Sequence, residues 1–325
     1  MPSPAPSSHP RRDKLRRWGT VLLGVVLLGG AAWVLRREIS ALRVQDLRAT
    51  LASLPPSHIL WAALFTLGNY LVLTGYEQLG FAWLGRKLPR SKIMAASFSG
   101  YALSHGLGFP LLTGTSVRYR LYSRWGVPTA EFARLVIFYS GSFWLGLAAW
   151  TGISLVFFPL PVLGNGMARA AEHAVGGALI ASVIVYTVLG VFAREPIRLR
   201  GFSLSAPPLR ITLPQMALVL ADWALAAGAL YALIPESSNP GYPAVLAAFV
   251  AAQTLGVISH VPGGVGVFEG AMLFLLSHAP GGPGLLSALL LFRCVYFLFP
   301  MTLVPFVLAA AKGYGKARRR RIATP

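Results

Sequence analysis

Acidic side chains and cysteine are what this sequence has least of. Ten Asp and Glu residues stand against 29 Lys and Arg, and Cys294 is the one cysteine in 325 residues. A lone cysteine excludes any intrachain disulfide. Charged residues of both signs make up 12% of the chain, where soluble domains carry about 25%, which argues against a water-soluble fold. The sequence also lacks the HExxH and CxxC spacings of metal sites, the GxSxG nucleophile turn and the phosphate-binding P-loop. No metal, cofactor or catalytic residue is therefore expected.

What is abundant is hydrocarbon. The chain is 55% hydrophobic with a mean hydropathy of +0.62, and several apolar runs exceed the ~20 residues needed to cross a bilayer core. The composition predicts an all-α polytopic integral membrane protein in which one domain takes up nearly the whole chain. A net charge of +19 would suggest nucleic acid in a soluble protein. Here the Lys and Arg residues cluster at the ends of apolar runs, as the positive-inside rule requires, and no nucleic-acid motif accompanies them.

Residues 1–17 read as a disordered tail that ends in Arg11, Arg12, Lys14, Arg16 and Arg17. An uncleaved first span, Trp18–Leu35, follows; its length and the Arg36-Arg37 after it argue against a signal peptide. Arg36–Pro56 reads as an amphipathic interfacial connector. Further spans are expected at His58–Leu84, Glu131–Phe158, His173–Phe192, Thr212–Ile234 and Leu285–Ala311, six in all, with a basic cytoplasmic tail over 312–325. Two apolar pieces behave differently. Ile93–Leu112 contains Ser104-His105-Gly106-Leu107-Gly108-Phe109-Pro110, and Tyr242–Ser277 contains His260-Val261-Pro262-Gly263-Gly264-Val265-Gly266-Val267-Phe268-Glu269-Gly270. Proline removes a backbone donor and glycine weakens a helix, so both pieces should break. A break in hydrocarbon is tolerated only where neighbouring protein or a wet cavity satisfies the bared backbone.

The basic residues Arg118, Arg120 and Arg124 after the first piece stay cytoplasmic if that piece enters and returns on one side. The loop after the second piece, His278–Gly284, has no Lys or Arg, so that piece should return on the outer face. Each half then reads span, span, re-entrant hairpin, span, in opposite orientation, which is an inverted repeat with halves of about 18–158 and 173–311. Ser104-His105 matching Ser259-His260, and Arg134 matching Arg293 at the heads of two spans, are weak sequence support. Both termini should be cytoplasmic.

Glu77, Asp222, Glu269, Arg134 and Arg293 fall in or beside apolar runs, where a charge costs roughly 2.5–3.5 kcal/mol at a helix centre. They should face the bundle interior, with Glu269 and Arg293 the first expected pair. They are structural ion pairs, or they hold a lipid headgroup or couple transport to protons. Asp222 could simply bond Trp or Tyr neighbours. Arg118, Tyr119, Arg120, Tyr122, Arg124 and Trp125 suit a phospholipid phosphate, since guanidinium binds phosphate bidentately and aromatic rings settle at headgroup depth. An ordinary positive-inside loop has the same composition. His105 and His260 read as helix-end hydrogen-bond donors, with proton handling the alternative. Gly176-Gly177 suits a helix–helix contact within the chain or between copies.

Taken together, Gly114-Thr115-Ser116-Val117-Arg118-Tyr119-Arg120-Leu121-Tyr122-Ser123, Phe143-Trp144-Leu145-Gly146-Leu147, Asp222-Trp223, Ile258 to Glu269, and Arg293 with Tyr296 resemble a known membrane region. It is that of the lysylphosphatidylglycerol synthase/flippase family, the multiple peptide resistance factors and their stand-alone relatives. The PGGxGxFE run of Pro262 to Glu269 is the most specific part. The resemblance implies a region that moves aminoacylated phospholipid from the inner to the outer leaflet, served by a separate domain that makes the lipid. Because the chain stops at Pro325, the synthase domain is expected to be absent, and lysylphosphatidylglycerol becomes one candidate lipid among several.

The expectation is thus a lipid translocator of the bacterial inner membrane rather than an enzyme. Its headgroup site would be Arg118, Tyr119, Arg120, Tyr122 and Arg293. Its cavity would be edged by His105, Gly106, Gly108, His260, Pro262, Gly263, Gly264, Gly266 and Glu269. Membrane phospholipid and a separate lipid-modifying synthase are the expected partners, with a homo-oligomer left open. A membrane-embedded enzyme or accessory subunit acting on lipid-linked intermediates, and an inactive scaffold, are the rival readings.

Overall fold

The computed structural model describes residues 54–107, 113–158, 167–192, 197–199, 202–204, 207–259, 261–277 and 282–323. The membrane region is helical. Helix α1 (Pro56–Trp83) carries proline in its first turn, and helices over Thr129–Phe157 and Leu209–Tyr231 directly follow Pro128 and Pro208. Proline presets φ for a helix and has no N–H to leave unsatisfied there, so it starts helices that it would break elsewhere.

In chain order the remaining elements are α2 (Arg90–Leu107), α3 (Gly114–Arg124), α4 (Thr129–Phe157), α5 (Met167–Phe192), α6 (Leu209–Tyr231), α7 (Tyr242–Ile258), α8 (Val267–Leu275), α9 (Gly282–Phe292) and α10 (Phe299–Ala323). A π-helical segment, Arg293–Leu298, joins α9 to α10. One departure from the all-α expectation stands among the described residues. In the basic loop, β1 (Ile197–Leu199) and β2 (Phe202–Leu204) pair antiparallel, Arg198 opposite Ser203.

Among the described residues, five helical stretches are long and apolar enough to cross a membrane: Pro56–Trp83, Thr129–Phe157, Arg169–Gly190, Leu209–Tyr231 and Gly284–Ala311. They fall on five of the spans read from the sequence. The remaining one, 18–35, and the connector up to residue 53 lie outside the described residues, as do Gly108 and His260.

Glycine sets how closely these helices approach. The space at Gly68 is filled by Leu225 and that at Gly75 by Leu218. As the α1 number rises the α6 number falls, so these two helices run antiparallel. Gly152 of α4 and Gly176 of α5 meet backbone to backbone, which assigns the Gly176 contact to this chain, while Gly177 faces open space. In a bilayer, where lipid is as apolar as leucine, such small-residue seams supply the packing that holds helices together.

The second broken piece folds back on itself as a helical hairpin, but the first does not do so within Ile93–Leu112. That piece supplies α2, and the helix packed back on it is α3, which carries the Arg118, Arg120 and Arg124 expected in a loop. In this first hairpin, Gly114 at the start of α3 packs on the Gly100 carbonyl and Ser104 hydroxyl of α2. In the second, α7 ends and the chain passes through a short 3-10 turn, Pro262–Gly264, into α8. Gly263, Gly264 and Gly266 there have φ of 65°, 62° and 80°, a left-handed path that side chains disfavour. This is the physical content of the PGGVG run. The two hairpins meet, α2 packing against the Pro262–Gly264 turn and against α10. A core of Trp223, Phe249, Phe268, Phe292 and Tyr296, set among the small residues of α6 and α7, ties the second hairpin to α9.

Candidate functional site

The site begins as a stripe on α1. Thr66, Asn69, Tyr70, Leu73, Thr74, Glu77 and Gly80 are buried, at the three- and four-residue spacing that lines one helix face. A mostly polar face on an apolar helix must find its partners inside the bundle.

Glu77 finds them on α3. Arg118 Nε donates to one carboxylate oxygen and the Tyr122 hydroxyl to the other. Arg118 reaches this far because Gly100 of α2 has no side chain; a Cβ there would overlap the guanidinium. The guanidinium carbon also lies 4.0 Å from the ring centre of Tyr101 and 5.0 Å from that of Tyr139. Charge, ring faces and hydroxyl together replace much of the water that both ions lose, while Arg118 Nη2 makes no hydrogen bond among the described residues.

Glu269 sits in the first turn of α8, just past the glycine break. One carboxylate oxygen accepts the Gly266 N–H at 2.8 Å, closing the helix N-terminus, and the other accepts from Arg293 Nε. A negative charge at this position also meets the positive end of the helix dipole. The pair expected from the sequence is therefore present, and it stands where the chain changes direction.

Asp222, mid-way along α6, is held differently. Asn69 Nδ2 donates to Oδ1 at 2.6 Å and the Tyr76 hydroxyl to Oδ2 at 3.1 Å. Asn69 in turn accepts from the Tyr296 hydroxyl at 2.7 Å, so α1, α6 and the π-helical segment share one hydrogen-bonded network. The His105 ring stacks on Tyr296, their centres 5.8 Å apart, and Gly106 lets α2 close on Met301 of α10.

The structure divides the expected headgroup residues. Arg118 and Tyr122 point inward onto Glu77 rather than out to a headgroup, because α3 lies on the Gly100 face of α2. Tyr119 is exposed and Arg120 half-buried on the same helix. Tyr119 lines an apolar groove of about 560 Å³ with Thr129, Phe132, Ala133, Val136 and Ile137 of α4. Arg293 is paired at the second hairpin, and Arg134 is half-buried near the start of α4. Pro262, Gly263, Gly264 and Gly266 make the turn itself. Sequence reasoning missed Asn69, Tyr76, Tyr101 and Tyr139. The spacing of polar residues along α1 was the available signal for the first two.

A model of the lysylphosphatidylglycerol synthase TM region matches residues 21–303. The chain belongs to that family. Glu77, Asp222 and Glu269 and their partners fall inside the matched residues of this lysylphosphatidylglycerol synthase TM region. The uncharacterized protein slr0712 of Synechocystis is 31% identical over 310 residues, 95% of this chain and 96% of that one. The inner membrane protein YbhN of Escherichia coli K12 is 28% identical over 246 residues, 72% of this chain and 74% of that one. Together with the apolar helices, these matches make this family member a multi-pass membrane protein.

Proposed function

We propose that the chain moves a phospholipid, aminoacylated phosphatidylglycerol being one candidate, between the leaflets of a bacterial inner membrane. The carrying observation is the Glu269–Arg293 pair. It couples a cation and an anion at a helix break, and it is not fully sealed. A zwitterionic or anionic headgroup could exchange for either partner without leaving a bare charge in hydrocarbon. In many transporters the substrate site is formed by discontinuous helices where two repeats meet.

In this reading the hairpins are re-entrant, the halves form an inverted repeat, and both termini are cytoplasmic. Arg120 and Tyr119 meet the lipid at the cytoplasmic face, and the groove beside Tyr119 guides an acyl chain. Arg118 is an internal strut, a role that its burial on Glu77 favours over phosphate capture. The headgroup then passes the Glu269–Arg293 pair and the glycine turn while the tails stay in lipid.

The test is headgroup accessibility in liposomes that carry the purified protein and a headgroup-labelled phosphatidylglycerol. The wild type should bring inner-leaflet label into reach of an external quencher, and Glu269→Gln should slow this at least about tenfold while inserting normally, the loss expected when about 1.4 kcal/mol of headgroup stabilisation is removed. Changed lipid mass would instead indicate an enzyme. Label movement equal to that in protein-free liposomes would indicate a scaffold.

A further inference from the structure

The three intramembrane acids are not held alike. Glu77 and Glu269 each face an arginine. Asp222 bonds Asn69 and Tyr76, both neutral, and no cation reaches it among the described residues. Asp222 is half-buried on a helix long and apolar enough to cross a membrane, where an ionised carboxylate with neutral partners alone is costly unless something positive joins it. The titratable groups nearest to it are Tyr76 from α1, Tyr101 from α2 and Tyr296 from the π-helical segment. The other helices packed on α6 aim theirs elsewhere: Tyr139 of α4 at Thr115, Tyr186 of α5 at Gln215, and Tyr242 of α7 at the Ala224 carbonyl.

We propose that Asp222 is a proton-binding site, loaded and emptied once per lipid moved; this rests on the translocator reading. A proton suits the geometry better than a metal ion does. A metal ion needs several ligands, and no group of three or more His, Cys, Asp or Glu side chains stands together among the described residues. A proton needs one remaining lone pair. It adds to the carboxylate, giving a neutral carboxyl, and leaves by the reverse step toward the other face.

The same network offers a route to the lipid path. Protonation weakens the bond from Asn69, whose carbonyl oxygen is tied to Tyr296, and Tyr296 lies in the same π-helical segment as Arg293. A change at Asp222 thereby reaches the Glu269–Arg293 pair through one short, irregular piece of helix. Such segments change register more readily than regular α-helix and recur at functional sites.

Two measurements on the full-length protein test this. In detergent, infrared difference spectra between about pH 8 and about pH 5 should contain a protonated-carboxyl band that Asp222→Asn removes and Asp222→Glu restores. In liposomes of phosphatidylglycerol and phosphatidylcholine with the labelled lipid, a gradient of one pH unit should change the initial rate by up to about tenfold. The ratio of rates with and without the gradient should fall to one in Asp222→Asn. A carboxyl band unchanged in Asp222→Asn overturns the proposal, as does a response to a sodium gradient alone. If the wild type moves no lipid, the translocator reading fails, and the carboxyl band still decides whether Asp222 binds a proton.

Discussion

The first hairpin (α2 and α3) gives Arg118 to a pair with Glu77 of α1, and the second (α7 and α8) gives Glu269 to a pair with Arg293, yet the two are built to opposite tightness. The Arg118 and Glu77 side chains are 2% and 1% exposed, and those of Arg293 and Glu269 are 11% and 12% exposed. The first pair adds two aromatic faces and a tyrosine hydroxyl, and its hairpin closes with Gly114 directly on backbone. The second pair adds a backbone N–H and a more distant aromatic face, Phe297 at 5.8 Å, and its hairpin meets through Gly256 and Gly264 with ordinary room between them. One hairpin is locked and the other has slack. If lipid passes between them, the second is the one that can move, and the first serves as its anvil.

The difference is largest where one ion is removed. Arg118→Ala leaves Glu77 buried and uncompensated, which should cost about 3–5 kcal/mol and sharply lower thermal stability in detergent. Replacing both partners, Glu77→Leu with Arg118→Met, should recover most of that loss. Arg293→Ala should cost less than Arg118→Ala, since Glu269 keeps its Gly266 bond and some exposure. Equal losses for the two arginines, read by thermal unfolding of purified protein, would erase the distinction between a locked and a slack hairpin.

A middle-sized effect tests the first seam. A Cβ at Gly114 would overlap the Gly100 carbonyl oxygen and the Ser104 hydroxyl. The carbonyl is backbone and cannot swing aside, so Gly114→Ala should cost about 1–3 kcal/mol by overpacking. It should also loosen Arg118, making the hairpin a new site of proteolysis. A variant as stable and as protease-resistant as the wild type would show that the seam has give after all.

How far this contrast was legible in the sequence follows from chain separation. The second pair spans 24 residues, and a hairpin followed by the last span already suggested it. The first pair spans 41 residues and joins helices whose contact depends on the side chain Gly100 lacks, so the letters pointed Arg118 outward to a headgroup. Asp222 and Asn69 are 153 residues apart, and nothing local links them. The helix breaks were readable because proline and glycine act on their own backbone. The apolar spans were readable because bilayer thickness fixes their length. The β1–β2 ribbon was not, since a three-residue pair in a basic loop leaves no hydrophobic period.

The smallest effect is the most specific to the second hairpin. Gly256 lies in the last turns of α7, and a Cβ there would stand 3.9 Å from the Gly264 Cα, an ordinary contact. An alanine in a helix also has less freedom to lose on folding than glycine. Gly256→Ala should therefore leave stability unchanged or raise it by up to about 1 kcal/mol. Function should move the other way if the slack is used. The added methyl fills the gap that lets α8 shift against α7, so lipid movement in liposomes should slow while the protein becomes no less stable. A variant equal to wild type in both readings would mean that the room between Gly256 and Gly264 is not where the hairpin moves, and the motion would then have to come from the π-helical segment at Arg293.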